Sequence, residues 1–347
     1  SEDHFIESVR LFVKSPDEQE RQWRELRRKT VVRRRSEWIK YAAAILIPFL
    51  CIGGWIISET KPIQEKSETL STVSPIPPGG ARAILMQGDG RYVDLEDQNA
   101  PALIDSLYEG IETDGKRLDY TNTTTETIPA IHTLSVPRGG EYTLILADGS
   151  RVYLNAESQL EYPVAFTGPK RQGSLKGEAY FDVAKEAERP FVVCVNGVDV
   201  TALGTEFNIA AVQGGDEVLT TLVNGSVRVV NEEGADCILT PAEQAVCKKG
   251  VVGIEVQKVN TNLYTSWKDG YYAFDKQPLG EIMRTLERWY DIHVVFADSV
   301  AGKLRFSGRL KRYEDIDNLL TMIKLTNDVD FEIAERVIIV RTNKNRK

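Results

Sequence analysis

Tyr142-Thr143-Leu144-Ile145-Leu146-Ala147-Asp148-Gly149-Ser150-Arg151-Val152-Tyr153-Leu154 decides the fold of most of this chain. Two runs rich in β-branched and aromatic residues flank an Asp-Gly pair. Asx-Gly between such runs is the strongest short hairpin signal, because those residues tolerate the positive φ angles of a tight β-turn. The same punctuation stands at Asp89-Gly90, Asn196-Gly197 and Asn224-Gly225, around runs such as Phe191-Val192-Val193-Cys194-Val195 and Val198-Asp199-Val200. No long helical stretch intervenes, so an antiparallel β domain, built as a sandwich, roll or solenoid, is expected over residues 76–258.

A partial repeat supports this reading. Pro78, Gly80, Leu85, Asp89, Gly90, Val93 and Leu95 reappear 59 residues later as Pro137, Gly139, Leu144, Asp148, Gly149, Val152 and Leu154. One hairpin unit is used twice, with the alternate residues Val93/Leu95 and Val152/Leu154 facing inward.

Beyond Trp267 the texture changes to a small α+β domain over residues 263–345. Residues 278–290 (PLGEIMRTLERWY) place Leu279, Ile282, Met283, Leu286 and Trp289 on one helical face. A second helix carries Ile316, Leu319, Leu320 and Ile323 inward, and short strand runs surround both, in the order βαββαββ. These stripes read as core.

Upstream, residues 41–58 (YAAAILIPFLCIGGWIIS) form an uncharged, mostly apolar run of 18 residues. A bilayer core is crossed by one helix of roughly 20 such residues. Eight basic residues lie between Arg24 and Lys40, against only Glu25 and Glu37. Basic flanks stay in the cytoplasm, so a single pass is expected, with the N-terminus in and the C-terminus out. Residues 59–75 are polar and proline-containing, an extended linker. Residues 1–40 hold two short amphipathic helices, one with Phe5, Ile6, Val9, Phe12 and Val13, the next with Trp23 and Leu26. Too little apolar surface is present there for a core, so this segment is expected to complete itself on a partner protein.

Charge excludes some functions. Residues 1–40 carry a net +3 and the remainder a net −11. An acidic outer part argues against nucleic acid, and the basic cluster beside the membrane run fits topology and inner-membrane lipid. No phosphate-binding loop, dinucleotide fingerprint, zinc-protease motif or nucleophile elbow is present. The three histidines are scattered, so neither metal nor cofactor is expected. Cys237 and Cys247 flank a turn-like segment symmetrically, which allows a cross-strand disulfide. Glu178 sits among apolar strand residues and needs a partner, for which Arg189 is the expectation. Gly204-Thr205 is a pair at which a threonine hydroxyl can attack the preceding carbonyl. Glycine there permits strained backbone angles, although an ordinary strand position is the default.

The series Leu146-Ala147-Asp148-Gly149-Ser150, Val152-Tyr153-Leu154-Asn155-Ala156, Leu160-Glu161-Tyr162-Pro163, Leu175-Lys176-Gly177-Glu178-Ala179-Tyr180-Phe181-Asp182-Val183, Arg189-Pro190-Phe191, Leu203-Gly204-Thr205-Glu206-Phe207-Asn208 and Val223-Asn224-Gly225-Ser226-Val227 resembles the FecR family of membrane anti-sigma factors. The stretch from Phe274 to Val340 resembles the C-terminal domain of many members. The resemblance implies that the N-terminal segment holds an ECF-type sigma factor at the inner membrane. It also implies that the periplasmic part senses the signalling domain of a TonB-dependent outer-membrane transducer, and that envelope proteases relay the signal. It implies self-cleavage between Gly204 and Thr205. On this reading Phe5, Ile6, Val9, Phe12, Val13, Trp23 and Leu26 contact the sigma factor, and Tyr271, Phe274, Leu279, Trp289 and Tyr290 serve the transducer contact. The alternatives are a membrane-tethered periplasmic carbohydrate-binding or scaffold protein, and an envelope hydrolase using Glu178 or Asp182.

Overall fold

The computed structural model describes residues 75–343, apart from 124–129, 212–214 and 327. The sigma-contact residues, the apolar run 41–58 and all but the last residue of the linker lie outside the described residues. Among those described, no helix is long and apolar enough to cross a membrane.

Two sheets share one long strand. The first sheet runs, edge to edge, through Tyr92–Asp94, Ile84–Gln87, Ile131–Val136, Ser158–Pro163, the first half of Arg171–Asp182, Phe191–Val195, Val198–Ala202, Val227–Val230 and Asp236–Leu239. The second runs through Glu112–Thr113, Arg117–Asp119, Gly140–Ile145, Arg151–Leu154, the second half of Arg171–Asp182, Glu206–Ala211, Glu217–Asn224, Glu243–Lys248 and Ile254–Lys258. The long strand changes sheets at Gly177, where φ is +91° and a Cβ would lie 2.6 Å from Glu157 O. Only glycine fits that bend. The apolar faces of both sheets enclose one core, with Leu85, Leu134, Leu144, Leu154, Phe181, Phe207 and Val229 all buried.

The repeated hairpin is real in three dimensions. Leu85 pairs with Val93 and Leu144 with Val152, and all four are buried. Two expectations need correction. The domain is mainly but not wholly antiparallel. Gly80–Ala81 and Arg117–Asp119 run parallel to Gly140–Ile145, and Arg171–Ser174 runs parallel to Phe191–Cys194. The last case follows from the bend. The long strand ends in the second sheet, so the chain returns to its start to rejoin the first. A helix, α1 (Ala100–Leu107), also interrupts the strands, with a proline in its first turn and Ala100 and Ile104 inward.

His132 is buried within this core. Tyr162 OH donates to Tyr120 OH (3.0 Å), and Tyr120 OH in turn donates to His132 Nδ1 (2.7 Å). That arrangement requires a neutral imidazole with Nδ1 as acceptor, and burial pushes its pKa down to about 4. The unfolded chain therefore binds a proton that the folded chain refuses. Stability is full above pH 6.5 and falls as pH drops from 6.5 towards 4, by about 3 kcal/mol from this group. Denaturation of His132→Gln at pH 7 and pH 4.5 should show a smaller acid loss than the unsubstituted chain. An equal loss refutes the assignment.

The C-terminal part opens with a helical turn, α2 (Asn262–Thr265). It continues through Tyr271–Pro278, α3 (Leu279–Tyr290), His293–Phe296, Arg305–Lys311, α4 (Ile316–Thr326), Val329–Ala334 and Val337–Thr342. This is the order read from the sequence. The strands form two small sheets: Tyr271–Pro278 with Arg305–Lys311, and His293–Phe296 parallel to Val337–Thr342, which pairs antiparallel with Val329–Ala334. Leu279, Ile282, Met283, Leu286 and Trp289 of α3 meet Ile316, Leu319, Leu320 and Ile323 of α4 in one core.

Candidate functional site

The junction between the β sheets and the C-terminal part holds a buried polar network. The carbonyls in the last turn of a helix have no partner within it and carry the negative end of its dipole. At the end of α3 they are met from the other side of the junction. Arg138 Nη2 donates to Glu287 O (2.9 Å) and Ile292 O (2.6 Å), and Arg138 Nε pairs with Asp291 (3.0 Å). Gly139 N–H donates to Arg288 O (2.7 Å). The Pro-Arg-Gly that opens the second hairpin repeat is thus the cap of a helix about 150 residues away in sequence.

Arg312 supplies the reciprocal contact. Its side chain is fully buried, with the guanidinium 3.8 Å from the centre of the Trp289 ring. Nη2 donates to Asn155 Oδ1 (2.7 Å) and lies 3.2 Å from Glu141 Oε2, while Nη1 donates to Trp267 O (3.3 Å). Nε has no partner. The bonds continue through Asn155 Nδ2 to Glu178 (2.8 Å), from Asn208 Nδ2 to Glu178 (3.1 Å), and from Trp267 Nε1 to Asn208 Oδ1 (3.2 Å). Tyr313 OH donates to Glu141 (2.7 Å), and burial, then this bond, raise its pKa. Glu178 is therefore held by two asparagine amides and not by Arg189, which pairs with Glu186 (2.5 Å). No nucleophile, base and oxyanion donors converge here, so the network reads as a latch between the two parts.

Beside the latch opens a cleft of about 550 Å³, walled by Glu178, Leu219, Tyr264, Phe274, Arg288 and Arg305. Phe274, Leu279, Trp289 and Tyr290, expected at a transducer contact, are instead buried in the C-terminal core, so they shape it from within. Tyr271 is partly exposed, with the Arg309 guanidinium 3.7 Å from its ring centre. Cys237 and Cys247 are free thiols. Their strands belong to different sheets, so they are not cross-strand neighbours in a hairpin.

Gly204 and Thr205 form the turn between Val198–Ala202 and Glu206–Ala211. Gly204 has φ +141°, and a Cβ there would lie 2.8 Å from Lys185 Cα. Thr205 is buried and its hydroxyl has no hydrogen-bond partner. The peptide is held on both sides, since Glu186 N–H donates to Leu203 O (3.1 Å) and Val183 N–H to Thr205 O (3.0 Å). Gly225 packs against Thr205 so closely that a Cβ on it would lie 2.5 Å from Thr205 Cγ2.

Sequence reasoning missed Arg138, Arg312, Asn155 and Asn208. A polar residue in a strand or loop carries no local sign of a partner brought to it by the fold.

A two-sheet β domain latched to a βαββαββ unit is the architecture of the described residues. The family described as "FecR protein" matches residues 132–228, and "FecR, C-terminal" matches residues 271–340. Residues 132–228 and 271–340 are thus FecR-family domains. No curated protein matches it. Two crystal structures of a "putative anti-sigma factor" from Parabacteroides distasonis are similar. One is 27% identical with TM-score 0.55, over 60% of this chain and 97% of that one. The other is 26% identical with TM-score 0.56, over 61% and 99%.

Proposed function

We propose that the chain is a single-pass inner-membrane anti-sigma factor. Residues 1–40 hold an ECF-type sigma factor on the cytoplasmic side, and the latched unit from residue 75 onward receives a signal from a TonB-dependent transducer in the periplasm. The observation that carries the reading is the joint likeness of the β domain and the C-terminal unit to FecR domains and to structures named as anti-sigma factors. The apolar run 41–58, with its basic flank, supplies the means of crossing. The open edges of the C-terminal sheets, such as Val329–Ala334, offer unpaired backbone groups to an added strand. Cleavage between Gly204 and Thr205 and proteolysis by envelope enzymes are the covalent steps of this reading.

Co-purification tests it. The chain should retain one ECF sigma factor, and Phe12→Ala with Trp23→Ala should reduce recovery roughly tenfold or more, as removal of aromatic anchors does. Undiminished recovery from the double variant, or no sigma factor from the unsubstituted chain, sinks the assignment.

A further inference from the structure

The segment by which the chain enters its described unit does not lie free on the surface. Ile76 is buried in the core of the C-terminal part, and its carbonyl faces Ile316 N–H at 3.5 Å. Gly79 is wedged at the junction. A Cβ on it would lie 2.6 Å from Gly139 O, 2.7 Å from Trp289 O and 2.8 Å from Trp289 Cε3. Gly80 N–H donates to Gly139 O (2.9 Å) and Arg82 N–H to Glu141 O (3.2 Å), as Gly80–Ala81 pairs with the start of Gly140–Ile145. Gly139 in turn donates to Arg288 O at the end of α3.

Residues 75–81 therefore touch both partners of the latch. A glycine is required where three groups converge, since any side chain would force them apart. Two residues of strand pairing are too few to hold such a segment alone, so its order depends on the surfaces on either side.

We propose that residues 75–81 are a clasp whose closure depends on α3 being docked on the Arg138–Gly139 loop. Withdrawal of α3 from that loop removes the wall behind Gly79 and unseats Ile76. The backbone of the whole segment then becomes available to solvent and to other proteins. A contact made anywhere on the C-terminal part that shifts α3 is thereby converted into exposure of the chain immediately downstream of residues 59–74. The biological use of this device rests on the signalling role proposed above, but the mechanical coupling does not.

Hydrogen exchange on the intact chain in detergent micelles tests it. Arg138 hydrogen-bonds the end of α3 and Glu157, and makes none of the strand bonds of the clasp. In Arg138→Ala, the amides of Gly80 and Arg82 should exchange about tenfold faster, together with that of Gly139, while those of Phe191–Val195 keep their rates. In Gly79→Ala, the inserted methyl should speed exchange of Gly139 N–H, across the junction from the substitution. Faster exchange at Gly139 with Gly80 and Arg82 unchanged in Arg138→Ala overturns the coupling. So does the absence of any change in that variant, or a Gly79→Ala effect confined to residues 80–82. Sigma-factor capture by residues 1–40 is a separate readout, so either proposal can fail alone.

Discussion

Arg312→Met should lower the unfolding free energy of the latched unit by about 3 kcal/mol, the lower end of the cost of removing one partner from a buried charged pair. Methionine refills much of the volume against Trp289, so the loss comes from the polar groups left behind. Asn155 Oδ1 keeps only the Ala156 N–H, and Glu141 keeps only Tyr313 OH as a side-chain partner. Glu141 is about one-quarter exposed, which lets water replace part of the ion pair and keeps the cost from rising further. Arg312→Lys should rescue little. An ammonium group offers a charge, but not the planar face that lies 3.8 Å from the Trp289 ring, nor the fork that reaches Asn155 and Trp267 O together. Chemical denaturation measures both variants. A loss under about 1 kcal/mol, the usual worth of an exposed pair, would mean that the latch is carried by apolar packing instead.

The two arginines at the junction work in opposite directions. Arg138 reaches from the β sheets to the end of α3, and Arg312 reaches from the C-terminal part to Asn155 and Glu141 on the sheets. Each ends on acceptors fixed by backbone or by an amide network, so neither geometry survives a sideways shift of one part over the other. Packed junctions of this kind respond to force by switching and not by gradual bending.

What was legible in the sequence was local. Asp148-Gly149 announced its hairpin because turn chemistry needs only neighbouring residues, and Gly149 has φ +82°. The repeat at offset 59 announced a second hairpin of the same register. Helical spacing revealed the inward faces of α3 and α4. That spacing also argued against a docking role for Trp289 and Leu279, since residues on the apolar stripe of an amphipathic helix turn towards the core. Glu178 was legible as a charge in need of a partner, but the identity of that partner was not. Its amides come from Asn155, just past Arg151–Leu154, and Asn208, in Glu206–Ala211, at either side of the long strand, and pairing across a sheet is set by topology. The parallel return of Phe191–Val195 was hidden for a related reason, because it depends on a bend at Gly177 that moves half a strand into another sheet.

Thr205→Val should abolish chain cleavage between residues 204 and 205 while leaving the fold intact. The unsubstituted chain, purified and run under denaturing conditions, should give two fragments, 1–204 and 205–347, that run together under native conditions. The reaction needs the hydroxyl. Thr205 Oγ1 attacks the Gly204 carbonyl carbon, the C–N bond breaks, and the hydroxyl proton passes to the departing nitrogen, leaving an ester. Water then attacks the same carbon and releases Gly204 as a carboxylate and Thr205 as a free amine with a restored hydroxyl. The geometry suits the first step, with a φ of +141° at Gly204, bonds on both sides of the pair and an unpaired buried hydroxyl beside it. Valine keeps the shape of threonine and removes a buried polar atom that has no partner, so stability should be unchanged or slightly higher. Serine at the same position should preserve cleavage. The fragments should remain joined because Val198–Ala202 and Glu206–Ala211 each pair with two other strands and lie in different sheets. Intact-mass measurement of all three proteins decides the matter. A single uncut mass for the unsubstituted chain, or fragments persisting in Thr205→Val, would make the turn a structural element and nothing more.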